Sequence, residues 1–172
     1  MIVNKKVAVR NQAELDFIQA TTAIVKTLDD KFNLGLSELT FARKSSWGGA
    51  KASSSTMRQY RDGRLEFWVN IKELQMTPEQ AKKLAFRLLA GARYFDIVNA
   101  KVPLDFVDLL DEMFKRPNER LERTAGGKLK KSTKINLASR RYAVQQLRDY
   151  FSDQSITYES IQEELEEIDE IA

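Results

Sequence analysis

Thr77, Pro78 and Gln80 constrain this chain more than any other cluster of residues in it, because together they define where a helix must begin. The threonine hydroxyl can accept from the first free backbone amides. Proline at the first helical position loses no hydrogen bond, and glutamine three residues after the threonine completes a capping box. Immediately upstream the pattern is different. Tyr60, the dipeptide Asp62-Gly63, and Leu65, Phe67, Val69 and Ile71 on alternate positions describe a β-hairpin, with Asp-Gly accepting the positive φ of a type I′ turn. A hairpin that runs straight into a capped helix points to an α+β fold.

The remaining elements follow from the same reasoning. Val3, Val7 and Val9 alternate loosely, as in a short edge strand. Asn11 and Glu14 have capping-box spacing, and Leu15, Ile18, Val25, Leu28 and Phe32 recur at helical spacing, which predicts a helix over 12–32 ending near Asn33 and Gly35. Residues 39–71 read as sheet, interrupted by a small, polar loop over residues 45–56. After Pro78, Ala81, Leu84, Leu88, Phe95 and Val98 form the buried stripe of one helix, and a second helix is predicted over 103–115, with Phe106, Leu109, Leu110 and Met113 facing inward. Few apolar anchors occur over 116–135, which reads as a basic linker. Asn136 caps a helix carrying Ala143, Val144, Leu147 and Phe151, and a last helix places Ile161, Leu165 and Ile168 on one face.

The expected architecture is therefore α+β: a small antiparallel sheet with packed helices in a core domain over 1–115, a linker over 116–135 and a helical C-terminal pair over 136–172. A chain of 172 residues suits one core with an appendage. No apolar run reaches the roughly 18 residues that span a bilayer, and the start lacks a signal peptide, so a cytoplasmic protein with no membrane association is the expectation.

Composition narrows the chemistry. The chain has no cysteine and no histidine, which removes thiolate nucleophiles, Ser-His-Asp triads and Cys/His zinc sites. Carboxylate, lysine, serine or tyrosine chemistry remains open, as does an all-carboxylate magnesium or calcium site. No cofactor and no metal is expected, and the chain is expected not to be an enzyme.

Charge is unevenly spread beneath a net value of +3. Residues 115–148 hold eleven bases and two acids, a net +9, while residues 149–172 hold nine acids and no base, a net −9. Lys128, Lys130, Lys131, Lys134, Arg140, Arg141 and Arg148 read as a surface for nucleic-acid phosphates, sequence-tolerant because no base-reading motif accompanies them. The same side chains could instead keep a loop solvated or pair with the acidic segment that follows. That segment offers a second surface. Ile161, Leu165 and Ile168, flanked by Glu164 and Glu167, could dock a protein partner's groove, pack on the chain's own core, or mask the basic segment.

Three other features carry less. Ala125-Gly126-Gly127-Lys128-Leu129 lacks the upstream glycine, the Ser or Thr after the lysine and the preceding strand of a phosphate loop. Ser53 to Thr56 supplies hydroxyls without an identifiable base and reads as loop. Trp47 and Trp68 could stack on bases, although Trp68, inside a strong strand, is expected to pack in the core.

Over roughly residues 12–100, the order of helix, strand, Trp47-Gly48-Gly49 loop, hairpin bearing Gly63-Arg64-Leu65-Glu66-Phe67-Trp68-Val69-Asn70 and capped helix resembles the SprT-like zinc metallopeptidases, including small phage members. The resemblance implies a capped helix with His-Glu-x-x-His after an apolar lead. Here Leu88-Leu89 is followed by Ala90-Gly91-Ala92-Arg93-Tyr94, so Ala90, Gly91 and Tyr94 stand where two ligands and the general base would be. Without them the zinc and its activated water are lost. What the resemblance then implies is a protease-like scaffold that is catalytically empty and retained for binding. Read without it, the small residues at 90–92 allow another element to approach the helix closely, at a cost of about 1 kcal/mol for the glycine.

Overall fold

The structure, a computed structural model, describes residues 1–43, 55–71, 76–99 and 130–150. Within them lie four strands and three helices: β1 (Ile2–Lys5), α1 (Gln12–Phe32), β2 (Leu36–Ala42), β3 (Ser55–Gln59), β4 (Leu65–Asn70), α2 (Pro78–Val98) and α3 (Lys131–Tyr150). The fold is α+β. The helix expected over 103–115, the linker up to residue 129, the acidic last helix, Trp47, Ser53 and Ser54 all lie outside the described residues.

Local chemistry accounts for the helix ends. Asn11 accepts the Glu14 amide at 2.9 Å through its side chain, as the cap spacing implies. At the other end Asn33 takes the left-handed conformation (φ 49°), and the Leu34 amide reaches back to the Asp29 carbonyl at 3.3 Å. The Asp29 carboxylate then accepts the Leu36 amide at 3.1 Å, which starts β2 directly from the helix end. α2 begins as expected, with the Gln80 amide donating to the Thr77 hydroxyl at 3.2 Å.

The sheet is mixed, not antiparallel. Its order is β1-β2-β4-β3, with β1 parallel to β2, β2 parallel to β4, and only the β3–β4 hairpin antiparallel. The reason is connectivity. α1 carries the chain from the end of β1 back to the start of β2, and a helical crossover of that kind places consecutive strands parallel. The hairpin then inserts its second strand, β4, beside β2 and leaves β3 on the edge. β3 starts at Ser55, so Ser55 and Thr56 belong to a strand and not to the preceding loop.

The hairpin turn also departs from expectation. Gly63 has φ +90°, but Asp62 does not have a positive φ, so the turn is not type I′. The Gly63 amide donates to the Tyr60 carbonyl and the Tyr60 amide to the Arg64 carbonyl, each at 2.9 Å, and the Asp62 carboxylate accepts the Arg64 amide at 3.1 Å. This is a three-residue loop closed by one left-handed glycine.

The chain divides into two compact units, Met1–Ala92 and Arg93–Ala172. In the first, Phe17, Ile18, Val25 and Leu28 of α1, Leu39 and Phe41 of β2, Phe67 and Val69 of β4, and Leu84, Leu88 and Leu89 of α2 are buried. Glu14, also buried, is tied to the end of β2: Arg43 grips both of its carboxylate oxygens at 3.0 and 3.3 Å, and the Arg10 amide donates to it at 2.7 Å. These contacts hold the Glu14 carboxyl below its ordinary value. In the second unit, Ile135, Ser139, Ala143 and Leu147 form a buried row at four-residue spacing on α3. Val98, expected in the buried stripe of α2, is 48% exposed, because the apolar stripe drifts round the helix by its last turn.

Gly91 of α2 lies against β3. A Cβ at this position would stand 2.7 Å from the Cβ of Met57, closer than real carbon pairs come. Alanine gains about 1 kcal/mol in helix propensity over glycine, whereas overpacking costs about 1–3 kcal/mol. The clash involves a Cβ fixed to the strand backbone, so Gly91→Ala is expected to lower the unfolding midpoint in a thermal melt. A raised midpoint would contradict the close packing.

Candidate functional site

The basic residues read from the sequence fall into three groups. Lys130 and Lys131 are exposed at the start of α3, and Lys131 is its first helical residue. Lys134, Arg140 and Arg141 are half-buried along the same helix. Arg148 sits in the last turns of α3 with its side chain outside the described residues, and Lys128 lies outside them altogether, as do Ile161, Glu164, Leu165, Glu167 and Ile168. The helix therefore starts at Lys131, five residues before the Asn136 cap expected from the sequence. Asn136 is an interior helical residue whose carbonyl accepts the Ser139 hydroxyl at 2.9 Å.

The first turn of α3 contains no acidic residue. A helix N-terminus carries free amides and the positive end of the macrodipole, and natural helices favour Asp or Glu there. Lys130, Lys131 and Lys134 place three further positive charges at that end. The arrangement costs the isolated helix stability and favours an anion beside it. Toward the other end of α3, Arg93 is committed within its own unit: its Nε donates to Gln146 at 2.7 Å, one terminal nitrogen donates to Asp96 at 2.6 Å, and its guanidinium lies 5.2 Å from the centroid of the Tyr142 ring.

A second polar cluster, which sequence reasoning did not single out, covers the sheet face opposite the Leu39–Phe67 side. Glu66 of β4 is only 2% exposed, yet its carboxylate accepts the Thr40 hydroxyl of β2 at 2.6 Å and the Tyr60 hydroxyl from the hairpin. Burial pushes the Glu66 carboxyl up. Hydrogen bonds from Thr40 and Tyr60, with the charge of Lys6, outweigh burial, and the group sits below its ordinary value. The same hydrogen bond, followed by desolvation, raises the Tyr60 phenol. Trp68 is buried as expected, and on this face it also meets two cations: the Lys6 amine stands 4.8 Å and the Arg58 guanidinium 4.4 Å from a ring centroid. Asn4 of β1 donates to Glu38 and Thr40 at 3.4 and 3.3 Å. A depression of about 460 Å³ lined by Asn4, Lys6, Glu38, Tyr60, Arg64 and Glu66 opens on this face.

The sequence signal for this cluster was the strand alternation itself. Glu66, Trp68 and Asn70 occupy the positions between Leu65, Phe67 and Val69, so they must share the other face. Their burial was not legible, because it depends on which strands flank β4.

Ala90 is buried, and Gly91 has no room for a side chain beside Met57. Tyr94 makes an edge-to-face contact with Phe95, ring centroids 5.3 Å apart. Among the described residues no group of three or more acidic side chains could hold a metal ion, and no helix is long and apolar enough to cross a membrane. No family model, curated protein or solved structure matches the chain.

The Glu66 network makes a stability prediction with a definite sign. A carboxyl whose folded pKa is depressed contributes stability above its unfolded pKa and loses it as pH falls through the folded value. Tyr60→Phe removes one donor to that charge and is expected to cost about 1–3 kcal/mol at neutral pH in denaturant unfolding. The difference from the parent should shrink once the pH is below the carboxylate range. An equal gap at both pH values would contradict an ionised Glu66.

Proposed function

We propose that this chain is a non-enzymatic nucleic-acid-binding protein whose basic segment, residues 115–148, takes phosphates. The observation that carries the reading is the start of α3, where Lys130 and Lys131 are exposed, Lys134 follows one turn on, and no acid occupies the first turn. A polyanion supplies the negative charge that such a helix end favours, and its condensed counterions are released when lysines replace them. Contacts of this kind follow the sugar-phosphate backbone and are tolerant of sequence. Arg140, Arg141 and Arg148 follow farther along the same helix. In this reading the scaffold over 12–100 that resembles a SprT-like metallopeptidase serves as a frame and not a catalyst. The close packing of Gly91 on Met57 supports that use.

The test is an electrophoretic shift of single- and double-stranded nucleic acids at two salt concentrations. Binding by the parent is expected to weaken with salt. Replacing Lys128, Lys130, Lys131 and Lys134 with Gln should sharply reduce affinity and lower the slope of log affinity against log salt by about three to four. Absent or salt-independent binding by the parent would remove the proposal.

A further inference from the structure

Among the described residues β1 is an edge strand, paired with β2 on one side alone. The Lys6 amide donates inward to the Phe41 carbonyl at 2.9 Å, so backbone alternation turns the N–H and C=O groups of Val3 and Lys5 outward. Such a row of unused donors and acceptors is a template for another strand. Beside it runs a groove of about 590 Å³ between β1 and α1, lined by Val3, Lys5, Ile18, Thr22, Ala23 and Lys26. Val3 pairs in register with the core residue Leu39, which places its side chain on the helix side of the sheet. Ile18 forms a buried part of the groove, while Lys5, Ala23 and Lys26 are exposed.

We propose that this edge and groove bind an extended acidic segment of a partner protein by adding a strand to β1. Pairing would place alternate side chains of the segment over Val3, Ile18 and Ala23, where apolar groups are buried. Acidic side chains of the segment would reach Lys5 and Lys26, the groove's two charged residues. Charge complementarity decides the occupant. A second copy of β1 would bring its own Lys5, with Lys6 next to it, against a groove that already carries Lys5 and Lys26, and like charges across paired strands are destabilising. The inference is independent of the phosphate surface on α3, because every groove and edge residue it assigns to the partner lies between positions 3 and 26.

Fluorescence anisotropy of a labelled short peptide alternating valine and glutamate tests it on the full chain. The peptide should bind saturably, its valine-lysine counterpart should not, and methylating the amides along one edge of the peptide should abolish binding. Lys26→Glu should weaken binding about tenfold or more, and Ala23→Arg, which fills the groove, should do the same. Both positions are on the exposed face of α1, so the variants should melt like the parent. No binding of the valine-glutamate peptide, equal binding by Lys26→Glu, or a concentration-dependent dimer lost on Ala23→Arg would overturn the proposal.

Discussion

Glu66 carries an ionised carboxylate in a strand whose six residues are all buried, and a charge so placed persists only if its oxygens are satisfied. Three separate parts of the chain must be aligned for that. β2 must pair with β4 in the register that puts Thr40 beside Glu66. The hairpin must close so that the Tyr60 hydroxyl folds back over the residue six positions on. β1 must lead to Lys6, whose charge favours the ionised form and whose amine also stacks on Trp68. A slip of one residue between β2 and β4 would move Thr40 to the apolar side and take one of its two hydroxyl donors from the buried charge. The carboxylate thus selects one register among those that the apolar pattern alone would tolerate.

What the chain reveals before folding is unequal across its parts. Helix ends were legible because caps are local chemistry: Asn11, Asn33 and Thr77 each satisfy backbone groups within a few residues of themselves. The hairpin was legible from Asp62-Gly63 and the alternation around it. Strand direction was not, since a period of two is the same in parallel and antiparallel strands and only the α1 crossover decides it. The turn type was misread because Asp-Gly suits more than one turn, and the Asp62 carboxylate here caps Arg64 while Gly63 alone takes positive φ. The start of α3 was misplaced because Lys131 to Lys134 contains no apolar residue, so no helical period could be read there before Ile135.

The candidate sites show the same division. The lysine cluster was visible as a run of charge, but its position on the first turn of a helix, where it opposes the macrodipole, came from the structure. The cluster of Glu66, Tyr60, Trp68, Lys6 and Arg58 is assembled from the residue after β1, both strands of the hairpin and the residue that precedes its turn. No short motif contains it. Trp68 illustrates the point: its burial was foreseen, its contact with two cations was not.

The charge state of Glu66 in the folded protein is the direct measure of this account. Carbon-13 NMR titration of the glutamate carboxyls in the full chain, with the Glu66 signal assigned by its loss in Glu66→Gln, should place that group below the ordinary glutamate value. A Glu66 signal titrating at or above the ordinary value would mean that burial dominates its hydrogen bonds, and would contradict the role given to it in setting the sheet.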